Sequence, residues 1–224
     1  MLVLAIDTST PDLITGIIDS DSGATLAERV VEDTRAHNEQ LTPMVQEALA
    51  EAGVSFGDLN AVVVGCGPGP FTGLRVGMVS AAAFGDALGI PVHGVCSLDA
   101  IAAGIDWRRY SSALVATDAR RREIYYATYR AGVRRSGPDV VAPGALVLEE
   151  DVDVVVIPQH LVEKLPAALV GVDTQRLRPT TAHLLACADL EETPGPLVPM
   201  YLRRPDAKEP RPRPTSAAIP EVRP

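Results

Sequence analysis

Lysine is almost missing from this chain. Only Lys164 and Lys208 are lysines among its 20 basic residues, and neither lies in the first hundred positions. That stretch carries three basic residues against thirteen acidic ones, a charge of −10, while the remainder carries 17 against 16, a charge of +1. Polyanion binding needs clustered Lys and Arg to neutralise phosphates, so the first half is not expected to hold nucleic acid unaided. Cysteine is scarce too. Cys66, Cys96 and Cys187 are odd in number and form no CxxC pair, which excludes a disulfide framework and suggests a reducing, cytoplasmic setting. No apolar run approaches the ~18 residues of a membrane span. The apolar start lacks a basic leader and is cut by Asp7, so neither a membrane helix nor a secretory signal is expected. His37, His93, His160 and His183 are too dispersed for HxxxH or HExxH, which excludes a helix-borne metal pair. There is no G-x-S-x-G elbow, although residue order alone leaves a Ser/His/Asp triad open.

What is present is a 224-residue chain with 46% hydrophobic and 22% charged residues, enough for one large domain or two small ones with a real core. Leu2–Ile6 is a continuous apolar run, read as a buried strand ending at Asp7. Leu13–Asp19 and Leu26–Val31 read as two more strands of an antiparallel meander. Leu41, Met44, Val45, Ala48, Leu49 and Ala52 form one helical stripe, with Asn38 as N-cap and Gly53 as C-cap. Ala61–Val64 reads as a strand, Leu74–Leu88 as a helix starting near Thr72, and Val92–Val95 as a strand. Ser97 is expected to cap a helix through about Ala103. The pattern restarts after Asp106–Ser112. Leu114–Asp118 repeats the apolar strand ending in Asp, and the polar turn Ala119–Arg122 leads into a strand from Glu123 to Tyr129, which hints at internal duplication. Val152–Ile157 and Ala168–Val172 read as strands and Thr180–Leu190 as a helix. Six prolines between 205 and 224 predict a flexible tail. The expected organisation is a subdomain over 1–105, a second over 106–204, and that tail.

The sharpest motif is the Gly/Pro loop from Gly65 to Gly73, running on through Leu74-Arg75-Val76-Gly77 between a buried strand and a helix N-terminus. Free backbone N–H groups and the positive helix end suit a phosphate, with Thr72 able to cap and Arg75 nearby. A tight strand-to-helix turn packed against a neighbour is the slightly favoured reading. No Lys-Ser/Thr follows, so it is not a P-loop, and its glycine spacing is not the dinucleotide fingerprint. Gly77 and Gly85 inside a helix each cost roughly 1 kcal/mol against alanine, so close approach of another element is expected there. Asp7, with Thr8, Ser9 and Thr10 beyond it, suits either a magnesium or phosphate contact or a turn cap. Arg120-Arg121-Arg122 with Tyr125, Tyr126 and Tyr129 is a basic-aromatic cluster, read as a solvated hairpin turn in preference to an RNA contact.

Asp7-Thr8-Ser9-Thr10, His37 with Leu41-Thr42-Pro43-Met44-Val45, the Gly67–Gly77 loop, Ser97-Leu98, Asp118-Ala119-Arg120, Glu123-Ile124-Tyr125 and Pro199–Arg204 together resemble the TsaB (YeaZ) family. The resemblance is close over about 1–130 and again over 197–207, looser between, and absent from the tail. It implies an α/β fold of the ASKHA (actin/Hsp70/sugar-kinase-like) type, with two ribonuclease-H-like subdomains of mixed sheets. It implies a non-catalytic scaffold for N6-threonylcarbamoyladenosine formation at position 37 of ANN-decoding tRNAs. The implied partners are a TsaD-like transferase as heterodimer and a TsaE-like ATPase, with a homodimer when alone and tRNA touched only indirectly. TsaD-type proteins carry a metal-binding HxxxH; here Leu41 stands at its second position, so no metal and no catalytic residue is expected. The implied interface helices cover 38–52 and 73–88, giving Leu41, Val45, Gly73, Gly77, Ser80 and Ala81 as interface candidates. Asp7, Thr8, Ser9, Thr72 and Arg75 are the candidates for contact with an anion or nucleotide, with ATP or ADP at the partner interface as the one cofactor considered. A stand-alone ATP-dependent phosphotransferase, with Val170-Gly171-Val172 as remnant of an adenosine loop, and a peptidase-like protein are the alternative readings.

Overall fold

The computed structural model describes residues 1–203; the proline-rich segment over 205–224 lies outside them. Leu2–Asp7 (β1), Leu13–Asp19 (β2) and Ala24–Val31 (β3) form the antiparallel meander. His37–Ala52 (α1), Ala61–Gly65 (β4), Phe71–Leu88 (α2), Val92–Val95 (β5) and Ser97–Ala103 (α3) follow. The five strands lie in the order β3-β2-β1-β4-β5, with β4 and β5 parallel to β1. The second half repeats this plan. Ser112–Arg120 (β6), Glu123–Arg130 (β7), Val133–Val141 (β8), Val154–Val156 (β9) and Asp173–Gln175 (β10) lie in the order β10-β9-β6-β7-β8, with β6 antiparallel to β7 and parallel to β9. The strand-Asp-turn-strand echo is thus a repeated five-stranded topology. Thr181–Ala186 (α4) closes the regular structure.

The unbroken apolar runs of β1 and β4 follow from burial on both faces. Leu4, Ile6, Val62 and Val64 pack under Leu41, Val45, Leu74 and Ala81 of α1 and α2. Val3, Ala5 and Val63 on the other face pack with Leu184 of α4. Meanwhile Leu98, Ile101 and Ala102 of α3 pack on Ala113, Val115, Ala127 and Val156 of the second sheet. The two corresponding helices are therefore exchanged: each half's last helix covers the other half's sheet. The exchange is tied down at the N-terminus of α4, where Glu28 of β3 accepts from the backbone N–H and hydroxyl of buried Thr181 at 2.7 and 2.8 Å. Where the first half has α1 and α2, the outer face of the second sheet is covered by irregular chain and 3-10 turns that bury Leu146, Leu161 and Leu169.

Several boundaries differ from the sequence expectation. α1 begins at His37 with Ala36 at the N-cap. Asn38 lies inside it, because Thr34 Oγ1 already accepts from Ala36 N and donates to Gln40 Oε1. Gly53 is the left-handed C-cap, φ 69°. α2 begins at Phe71 after Pro70, so Thr72 is within the helix and caps nothing. Ser97 is the first residue of α3 and its hydroxyl turns away to β1. Ala168–Val172 is not a strand: Pro166 starts a 3-10 turn over Ala167–Leu169, Val170 is 81% exposed, and the strand comes later as β10. α4 stops at Ala186, short of Leu190.

Candidate functional site

At the end of β1 the chain places Asp7, Thr8 and Ser9 together, all but closed to solvent. Asp7 Oδ1 accepts from the backbone N–H of Ser9 (2.9 Å) and from its hydroxyl (2.7 Å), and Oδ2 accepts from the Ser97 hydroxyl (2.6 Å). Ser97 Oγ in turn accepts from Gly67 N at 3.3 Å. Burial pushes the Asp7 carboxyl above its usual range, and the hydroxyl donors oppose that shift. The glycines of the following loop make room for this segment. A Cβ on Gly65 would overlap the Asp7 carboxylate, and one on Gly69 would overlap the Ser9 backbone. The Thr8 hydroxyl donates to Gly73 O (2.8 Å) and accepts from Gly77 N (3.1 Å), and a Cβ on Gly77 would run into it. The close neighbour that the Gly/Ala-rich helix required is therefore the β1–β2 turn of this same chain at Gly77. At Gly85 it is Val92 and Ile90.

The interface candidates divide accordingly. Leu41, Val45 and Ala81 are at most 1% exposed and Gly77 is buried, so these four belong to the chain's own core and offer no side chain to a partner. Gly73 and Ser80 are half-buried. The outward stripe of α2 is instead Phe71 (54% exposed), Arg75, Val79 (66%), Ala83 and Asp86. Arg75 does not turn toward Asp7. Its guanidinium lies 3.9 Å from the Phe71 ring centroid and its Nε donates to the Tyr201 hydroxyl at 2.5 Å. Phe71 and Tyr201 stack at 5.2 Å.

A cavity of about 460 Å³ opens where α1 and α2 begin, lined by Thr8, Thr72 and His37 with the two cations Arg35 and Arg120 against one carboxylate, Glu39. Two guanidiniums and the positive end of a 16-residue helix favour an anion there. His37 Nε2 is buried without a hydrogen-bond partner, and burial holds its imidazole below the usual value. Sequence reasoning missed Arg35, and it read Arg120 as a solvated turn residue. The turn is real, with φ near 60° at Arg120, Arg121 and Arg122, but it swings Arg120 back over the first half. Leu41, four residues after His37, is sealed in the core, and among the described residues no group of three or more His, Cys, Asp or Glu side chains is arranged to hold a metal.

Two halves of one topology, each a five-stranded mixed sheet with helices or turns against it, define a duplicated α/β protein. A family model described as TsaD, tRNA N6-adenosine threonylcarbamoyltransferase, matches residues 25–190. An uncharacterized Mycobacterium tuberculosis protein is 52% identical over 92% of this chain and 93% of its own. The tRNA threonylcarbamoyladenosine biosynthesis protein TsaB of Escherichia coli is 36% identical over 58% of this chain and 55% of its own. The solved structure of YeaZ from Pseudomonas aeruginosa superposes with a TM-score of 0.72 at 27% identity, covering 90% of this chain and 99% of that one. The chain belongs to the TsaB/YeaZ family.

Proposed function

We propose that this protein serves threonylcarbamoyladenosine formation on tRNA as a non-catalytic scaffold that docks on a TsaD-type transferase. The observation that carries this reading is the state of Asp7. A carboxylate that worked on a metal or a phosphate would need a free, accessible oxygen; here both oxygens already accept hydrogen bonds, the side chain is buried and the glycine loop closes over it. What the first half does expose is the α2 stripe, where Phe71 and Val79 are its most exposed large apolar side chains. A partner seated on that stripe would roof the cavity at the head of α1. ATP or ADP at the interface would then meet Arg35, Arg120 and Thr72 rather than Asp7, Ser9 or Arg75. A TsaE-type ATPase and self-association of the free chain through the same stripe complete the proposal, with tRNA held by the transferase.

Light scattering on the mixed, purified chain and its cognate transferase is expected to give a heterodimer. Val79→Asp should weaken it at least tenfold, about 1.4 kcal/mol, with an unchanged unfolding midpoint. Absence of association at micromolar concentration, or a tRNA-modifying activity of the isolated chain, refutes the scaffold reading.

A further inference from the structure

A second cavity, of about 600 Å³, lies at the edge of the first sheet, between its edge strand β5 and the chain that follows α4. His93 of β5 is part of its lining. Its strand neighbour Val92 packs toward α2, whereas His93 shares a face with Val95, which packs toward α4. The imidazole is 6% exposed and its Nε2 has no hydrogen-bond partner. A buried polar atom left unpaired costs about 1–3 kcal/mol, and nothing in the Asp7 region or the α2 stripe uses it. The other polar side chains of its lining are the Thr193 hydroxyl and two carboxylates. Asp189 and Glu192 stand at the rim, and no basic side chain lines the cavity. Asp189 Oδ1 accepts from the backbone of Glu191 and Glu192, which fixes the carboxylate in place.

We propose that this cavity is a binding site for a small organic cation, a short alkyl diamine, with an ammonium donating to His93 Nε2 and the Asp189 and Glu192 carboxylates facing its charge. An anion would meet two carboxylates and no cation there. A transition metal would need several converging ligands, and among the described residues no group of three or more His, Cys, Asp or Glu side chains is arranged to hold one. An ammonium supplies a donor to the unpaired imidazole and further donors to the carboxylates. The site is independent of the scaffold reading, since none of its lining residues belongs to α1 or α2.

Calorimetric titration of the full chain with 1,4-diaminobutane tests this. Saturable one-to-one binding is expected, weakened about tenfold or more by His93→Leu and by Asp189→Asn, and the titration should shift the His93 ring resonances. Asp189→Asn keeps a carbonyl for the two backbone donors and sits on the surface, so it reports on the site even where His93→Leu does not fold. Absence of saturable heat up to about 10 mM diamine overturns the site. So does affinity unchanged in Asp189→Asn, or equal heat from magnesium chloride at matched ionic strength.

Discussion

Thr8 ties the end of β1 to the second turn of α2 through one hydroxyl, which donates to Gly73 O and accepts from Gly77 N. Gly77→Ala pushes a Cβ into that hydroxyl, and overpacking of this kind costs roughly 1–3 kcal/mol. Urea unfolding should show that loss, and Thr8→Ala combined with Gly77→Ala should recover part of it, because the two residues share one contact. Strictly additive losses would refute the coupling. Buried titrating groups set the pH response. Burial holds His37 and His183 below the ordinary imidazole value of 6.5, so the unfolded chain binds protons that the folded chain refuses. Their contribution is complete above 6.5 and is lost as pH falls. Asp7 acts in the opposite sense: its carboxyl is raised, so its contribution is complete only in acid and is lost as pH rises through its folded-state value. Unfolding midpoints measured between about pH 7.5 and pH 5 should fall with pH, and less steeply in His37→Gln; an identical slope refutes the assignment. In the sequence, Asp7 and the glycine loop stood out by composition and place. Ser97 as the partner of Asp7 did not, because a contact across ninety positions leaves no local pattern.

At the scale of elements, legibility followed burial. β1, β2, β4 and β6 announce themselves as apolar runs because both their faces are covered, and the α1 stripe reads cleanly because one side of it faces a core. β8 and β10 carry no such signal. They are sheet-edge strands with mostly exposed side chains, and β8 contains Gly137 and Pro138, residues that ordinarily mark a turn. The helix ends are set by chemistry of a different range. Gly53 at φ 69° is a local signal and was readable; the start of α1 is set by a Thr34–Gln40 link six residues long and was not. Gly53→Ala should lower stability by about 1 kcal/mol in urea unfolding without changing the helical circular dichroism of the folded state. An unchanged midpoint would mean that the left-handed cap contributes nothing.

Across the whole molecule, the exchange of α3 and α4 makes two similar halves into one cooperative body. Leu184 of α4 is fully buried against Val3, Ala5 and Val63 of the first sheet. Leu184→Ala should cost about 2–5 kcal/mol and shift a single transition that circular dichroism and Tyr/Trp fluorescence report alike; two separated transitions would refute the coupling. A fragment of residues 1–105, which lacks α4, should fail to give a dispersed amide spectrum. The same exchange also sets an order in time. As the chain leaves the ribosome, the first sheet is complete by Val95, but one of its faces stays bare until Thr181–Ala186 emerges. At ~5–20 residues per second the newborn first half waits several seconds with Val3, Ala5 and Val63 uncovered. During that interval those apolar side chains lack the cover that α4 gives them in the finished fold.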